Sequence, residues 1–138
     1  MRYLLDTNIV SYYLRRSSPV LEARVGQALQ RHDCAISVIT RAELRFGQAY
    51  LGLGDVRRQL IEVFLEKLPN LAWSTETADQ YGLLKSTLQR QGRLILMSGE
   101  LDTQIAAHAL AENLILVTHN TKHFERVEGL KVEDWMHT

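Results

Sequence analysis

Apolar residues fall along this chain in two rhythms. Short runs without polar alternation, "YLL" at the start and "LILV" near residue 114, suit strands covered on both faces by other elements. Longer stretches repeat at helical spacing: "PVLEARVGQALQR" puts Val20, Leu21, Val25, Ala28 and Leu29 on one stripe. Ser18 is placed as its N-cap and Pro19 as its first helical position. Read this way, the chain has strands over 3–5, 35–38, 71–73, 114–118 and 131–133. Helices are expected over 8–15, 19–31, 41–50, 56–67, 78–90 and 101–112, with a single turn over 121–125. The segments 41–50 and 56–67 read as an antiparallel pair around the turn "LGLGD", and "RLILM" (93–97) as an extended loop packing under the next helix. Strand and helix alternate, which predicts an α/β fold: a mainly parallel central sheet flanked by helices in three layers.

Composition adds bounds rather than direction. The 138 residues suffice for one domain spanning 1–138. Lys and Arg together equal Asp and Glu at 16 each, so nucleic-acid binding would rest on a local basic patch and not on net charge. No apolar run reaches membrane-spanning length, and Asp6 interrupts the N-terminus too early for a signal-peptide core, so a cytoplasmic protein without membrane association is expected. The lone Cys34, inside "CAISVI", reads as a small buried residue.

The chemistry gathers where strands end. In open parallel sheets, sites form beyond the carboxyl ends of the strands. Asp6 closes the first strand; Thr118, His119 and Asn120 close "LILV". Glu43 lies in the first turn of a helix beginning at Thr40, and "TRAE" also reads as a capping box, with Thr40 as N-cap. Asp102 heads the stripe Ile105, Ala106 and Ala109 in "DTQIAAHAL", an acid on a face that must bury. Glu100, two residues away, reads as a first-turn acid facing elsewhere, and His108 as peripheral. Asn120 and Asp6 are equally placed to cap the helical turns that follow them. Taken singly, each residue has a structural reading. Together, three acids and an amide would crowd one crevice, where carboxylates repel unless a cation lies between them. Oxygen donors suit Mg²⁺ or Mn²⁺ rather than zinc. His119 and His123 are the rival acid–base groups; no Ser–His–Asp arrangement, Gly-rich phosphate loop or Cys/His metal spacing stands out.

The segments "LLDTNIVSYYL", "SVITRAELRFG", "LDTQIAAHAL", "LILVTHNTKHF" and "GLKVEDW" resemble, in order and spacing, those of a PIN-domain protein, and more narrowly a VapC-type toxin of bacterial toxin–antitoxin pairs. The resemblance runs nearly end to end. It implies a Mg²⁺- or Mn²⁺-dependent endoribonuclease whose metal-holding acids are Asp6, Glu43 and Asp102, with Asn120 where many relatives carry a fourth acid. It places the hydroxyls of Thr7 and Thr118 near the metal. Arg15, Arg16, Arg41, Arg45, Arg93 and Lys122 are candidates for gripping the RNA backbone, each with a plain surface-charge reading beside it. The implied substrate is a structured RNA such as the anticodon arm of a tRNA, the initiator tRNA among them. The implied partners are a second copy of the chain and a VapB-like antitoxin whose C-terminal segment blocks the cleft. Anchors of that segment would seat near Leu44, Phe46, Tyr50, Leu51 and Leu53. Two other classes compete: a PIN scaffold with a degenerate site that only binds RNA or a partner, and an aspartyl-phosphate hydrolase. The second usually wants a carboxylate two residues after the first Asp, where this chain has Asn8.

Overall fold

The computed structural model describes residues 1–92 and 100–137. The elements run β1 (Tyr3–Leu5), α1 (Thr7–Leu14), α2 (Pro19–Gln30), β2 (Cys34–Ser37), α3 (Val38–Tyr50), α4 (Val56–Glu66), β3 (Asn70–Leu71), α5 (Thr75–Arg90), α6 (Glu100–Glu112), β4 (Ile115–Val117), α7 (Thr121–Phe124) and β5 (Val132–Glu133). The strands form one sheet in the order β3-β2-β1-β4-β5, with every neighbouring pair parallel. The expected α/β architecture is therefore present. The extended loop expected over 93–97, and Arg93 with it, lies outside the described residues.

Strand pleating divides the core. Successive side chains of a strand point to opposite faces, so Leu5, Ile36 and Val117 enter one hydrophobic cluster and Leu4, Ala35 and Leu116 the other. The first cluster is closed by Ile9 and Val10 of α1, Leu21 and Val25 of α2, Leu44 of α3 and Phe64 of α4. Leu84 and Leu88 of α5, Ile105 and Ala106 of α6, and Phe124 of α7 close the second. Helices thus cover both faces, which is why the strands carry no polar alternation. Cys34 is buried, as expected. Among the described residues no helix is long and apolar enough to cross a membrane.

The boundaries differ from expectation where a side chain takes over a cap. The second strand ends at Ser37, not at 38, because the Ser37 hydroxyl accepts the Ile39 N–H at 3.0 Å and starts α3. Thr40 therefore sits inside the first turn, and the capping box of Thr40 with Glu43 does not form. Likewise Ser74 accepts the Thr77 N–H at 3.0 Å and starts α5 at Thr75 rather than at 78. The expected pairing of the two middle helices holds: α3 packs on α4, with Arg58 Nη1 donating to the Gln48 and Leu51 carbonyls at 3.1 and 2.8 Å.

His108 is not peripheral. It is fully buried, with Nδ1 2.8 Å from the Ser37 hydroxyl and its ring edge-on to Trp73. The expectation failed because α6 is buried on nearly every side, so no face was left for a peripheral residue. Burial pushes the His108 pKa down, against the upward pull of Glu112 and the Ala72 backbone, and the ring is held neutral. Ser37 accepts from Ile39 and so has its own proton for Nδ1. Ser37→Ala removes a helix cap and strands a buried ring nitrogen, and is expected to lower stability by about 2–4 kcal/mol, read from the denaturant midpoint.

Candidate active site

The strand order reverses around β1, whose neighbour β4 arrives from the far end of the chain. Leu5 stands opposite Val117, and the Asp6 N–H donates to the Val117 carbonyl at 3.0 Å. This bond sets Asp6 and Thr118 side by side at the sheet's carboxyl edge, where α/β sites form.

Asp6 is only 4% exposed. One carboxylate oxygen accepts the Ile9 N–H at 2.8 Å, capping α1 as the structural reading required. The Thr118 hydroxyl, fully buried, accepts the Asn120 N–H at 3.1 Å and bonds the Asp6 carboxylate with its own proton. Even so, the Asp6 pKa is pushed up to about 6, first by burial and then by the charges of Asp102 and Glu43. Among the described residues, the charged groups that raise it are both acids. An amide would cap α1 equally well without burying a charge, so capping leaves the carboxylate unexplained.

Glu43 reaches the same place from α3. Its Oε1 accepts from the Thr7 hydroxyl at 2.8 Å, and Thr7 Oγ1 lies 2.9 Å from Thr40 Oγ1. Thr7 spends its one proton on Glu43, so Thr40 donates to Thr7. Thr40 is fully buried and belongs to this chain of hydrogen bonds, a role the capping-box reading had hidden. The available signal was its spacing: three residues before Glu43, on the same helical face. Asp102 enters from the first turn of α6, half-buried, above the fully buried stripe of Ile105, Ala106 and Ala109. Asn120 precedes α7, and its side chain makes no capping bond there.

The structure therefore gathers Asp6, Thr7, Glu43, Thr118 and the charge of Asp102 around the tips of β1 and β4. The cations divide. Arg15 is exposed and shares with Thr7 and Glu43 a groove of about 360 Å³ lined on its other side by Leu14, Leu44, Leu51, Leu60 and Ile61. Arg57, passed over in the sequence, lines the same groove while pairing with Asp55. Arg41 donates to Asn70 Oδ1 at 2.8 Å, and Arg45 pairs with Glu62 across the α3–α4 hairpin. Lys122 is exposed on α7. Glu100 is paired with Lys85 of α5 at 3.0 Å, both side chains exposed.

The donor set fits a hard divalent cation: carboxylate and hydroxyl oxygens, with the pKa of the buried Asp6 carboxylate raised further by the charges of Asp102 and Glu43. The oxygens of Asp6, Glu43 and Asp102 do not all approach within 4.8 Å of one another. Among the described residues, only His119, Asp134 and His137 form such a trio of His, Cys, Asp or Glu. A spread acid set suits Mg²⁺ or Mn²⁺, which keep several waters and need few direct protein ligands.

Comparison with known proteins gives the same direction. The family model described as PIN domain matches residues 3–130. A protein named Ribonuclease VapC2, from Haemophilus influenzae, is 39% identical over 136 residues, covering 99% of each chain. A protein of Shigella flexneri named tRNA(fMet)-specific endonuclease VapC is 33% identical over 135 residues, covering 98% of each. The crystal structure of VapBC2 from Rickettsia felis, bound to a DNA fragment from its promoter, contains a chain that superposes with a TM-score of 0.86 at 32% identity. That match covers 98% of this chain and 99% of the other.

Proposed function

The chain belongs to the PIN-domain family, and from that premise we propose that it is the toxin of a toxin–antitoxin pair, an endoribonuclease dependent on Mg²⁺ or Mn²⁺. The observation that carries the metal reading is Asp6: a buried carboxylate, capped and bonded, whose pKa burial and the charges of Asp102 and Glu43 push up. In this reading Asp6, Asp102 and Glu43 hold the cation. When bound, a divalent cation acidifies an attacking water and neutralises charge growing on the scissile phosphate. The rest is done by the chain. Thr118 and the Ile9 N–H fix the Asp6 carboxylate in one orientation, and the Thr40–Thr7 relay does the same for Glu43. Such fixing matters because ligands that need no reorganisation keep the site's electrostatics ready for the transition state. Asn120, a neutral amide without a capping duty, is free to hydrogen-bond a phosphate oxygen or a water. Arg15 at the mouth of the groove holds the RNA backbone as a phosphate contact, which positions without reading sequence. Identity to the Shigella protein supports a tRNA substrate, the anticodon arm of the initiator tRNA included.

The partner is a VapB-like antitoxin, as the likeness to a VapBC assembly supports. Its inhibitory segment lies along the apolar groove and ends a Lys or Arg at the acids. The test is cleavage of purified tRNA by the purified chain. Cleavage is expected with Mg²⁺ or Mn²⁺ and none with a chelator, and Glu43→Gln should cleave about 100-fold more slowly or worse while remaining folded. Full cleavage in the presence of chelator would overturn the metal reading. Full activity of Glu43→Gln would reduce Glu43 to a structural partner of Thr7.

A further inference from the structure

A second cluster of ligand atoms shares no residue with the carboxylate crevice. His119 follows Thr118 at the tip of β4, and Asp134 and His137 follow β5, which pairs with β4. The three ligand atoms all lie within 4.8 Å of one another. His119 Nδ1 is 3.1 Å from Asp134 Oδ2, and His137 Nε2 is 3.3 Å from the same oxygen. We propose that His119, Asp134 and His137 form a transition-metal site that takes Zn²⁺, separate from the site for Mg²⁺ or Mn²⁺.

Zinc bonds to imidazole nitrogen and carboxylate oxygen are about 2.0–2.2 Å, so the edge of a tetrahedron around it is about 3.3–3.5 Å. The two His–Asp distances, 3.1 and 3.3 Å, come close to that length. Two imidazoles and one carboxylate suit zinc's class and not magnesium, which wants oxygen and an octahedral shell. Three protein ligands leave one position open.

The cluster is also supported from behind. The Met136 N–H donates to Asp134 Oδ1 at 2.9 Å, and the His119 ring stands edge-on to Tyr12 at 5.9 Å. Asp134 is 17% exposed while His137 is 74% exposed, so the cluster has a sheltered carboxylate and one outer imidazole open to solvent. Its consequence is local: bound zinc staples residues 134–137 to the tip of β4, one residue from Asn120. Two imidazoles hydrogen-bonded to one carboxylate would give similar distances, and that arrangement holds no metal.

The experiment titrates ZnCl₂ into the chelator-dialysed chain by calorimetry, with Mg²⁺ kept in millimolar excess to saturate the acid crevice. One zinc per chain is expected, unaffected by magnesium. His137→Ala and Asp134→Asn should each weaken it by about tenfold or more, as loss of a ligand requires. Because the His137 side chain is largely exposed, its variant keeps the fold. Asp6→Asn should bind zinc as tightly as wild type, so the result stands whether or not the ribonuclease reading does. No zinc uptake, or equal uptake by wild type, His137→Ala and Asp134→Asn, would overturn the site; uptake lost with Asp6→Asn would move it to the crevice.

Discussion

Asp6→Asn is expected to cripple RNA cleavage and to stabilise the metal-free protein. Both effects come from one buried charge. Asn caps a helix as well as Asp, so the Ile9 N–H keeps its partner. What disappears is a carboxylate whose pKa the fold raises from 3.8 to about 6. A shift of about two units corresponds to roughly 3 kcal/mol of differential interaction. The folded pKa lies above the unfolded one, so the native state holds the proton more tightly. The stability this confers is fully present below pH 3.8 and is lost as pH rises through 6. The variant's advantage is therefore absent at pH 3.5, grows between pH 4 and 6, and is complete at pH 7.5, where it approaches 3 kcal/mol less whatever the bond to Thr118 contributed. Thermal unfolding in chelator at these pH values reads it directly. Cleavage should fall by a factor on the order of 10²–10³ or more, the scale of removing one preorganised electrostatic contact. Mn²⁺ should raise the melting temperature of wild type by mass action and leave the variant where it was. A variant less stable than wild type at pH 7.5 would make Asp6 a structural residue.

The second large effect lies on the apolar side of the groove. Phe46, Tyr50 and Leu53 are 73%, 84% and 91% exposed, and Val56 beside them 74%. Phe46 and Tyr50 lie one turn apart on α3 with ring centroids 6.3 Å apart, next to a groove that runs to Glu43. Leu44, expected in this surface, is mostly buried in the core cluster with Phe64 and only borders the groove, and Leu51 is half-buried in the groove wall. An exposed aromatic patch beside an acid-tipped groove matches an antitoxin segment with aromatic or aliphatic anchors and a terminal cation. The pair Tyr50→Asp and Leu53→Asp should weaken antitoxin binding about 100-fold, as loss of central anchors worth 2–3 kcal/mol implies. Stability and RNA cleavage should stay near wild type, because neither side chain is buried or near the acids. Unchanged affinity would put the interface on another face.

How far the sequence carried this picture depended on whether the deciding interaction was local. The apolar runs at β1 and β4 announced buried strands, and the carboxylate ending the first of them marked the sheet edge where Asp6 and Thr118 meet. Asp102 was legible because an acid heading a buried stripe is anomalous on its own helix. The start of α3 was not, since both Ser37 and Thr40 are sound N-caps and only tertiary contact with His108 and Thr7 chooses between them. His108 was misjudged for the same reason: its surroundings come from β2 and Trp73, far away in the chain. The His119, Asp134 and His137 cluster escaped because pairing of β4 with β5, and no short motif, assembles it.

The most direct measurement is anomalous diffraction from a crystal of the chain grown with Mn²⁺. The account predicts a manganese peak at the tips of β1 and β4, with the Asp6 and Asp102 carboxylates nearest to it and Glu43 reached directly or through water. A crevice without manganese, in a protein that still cleaves RNA with that ion bound elsewhere, would contradict it.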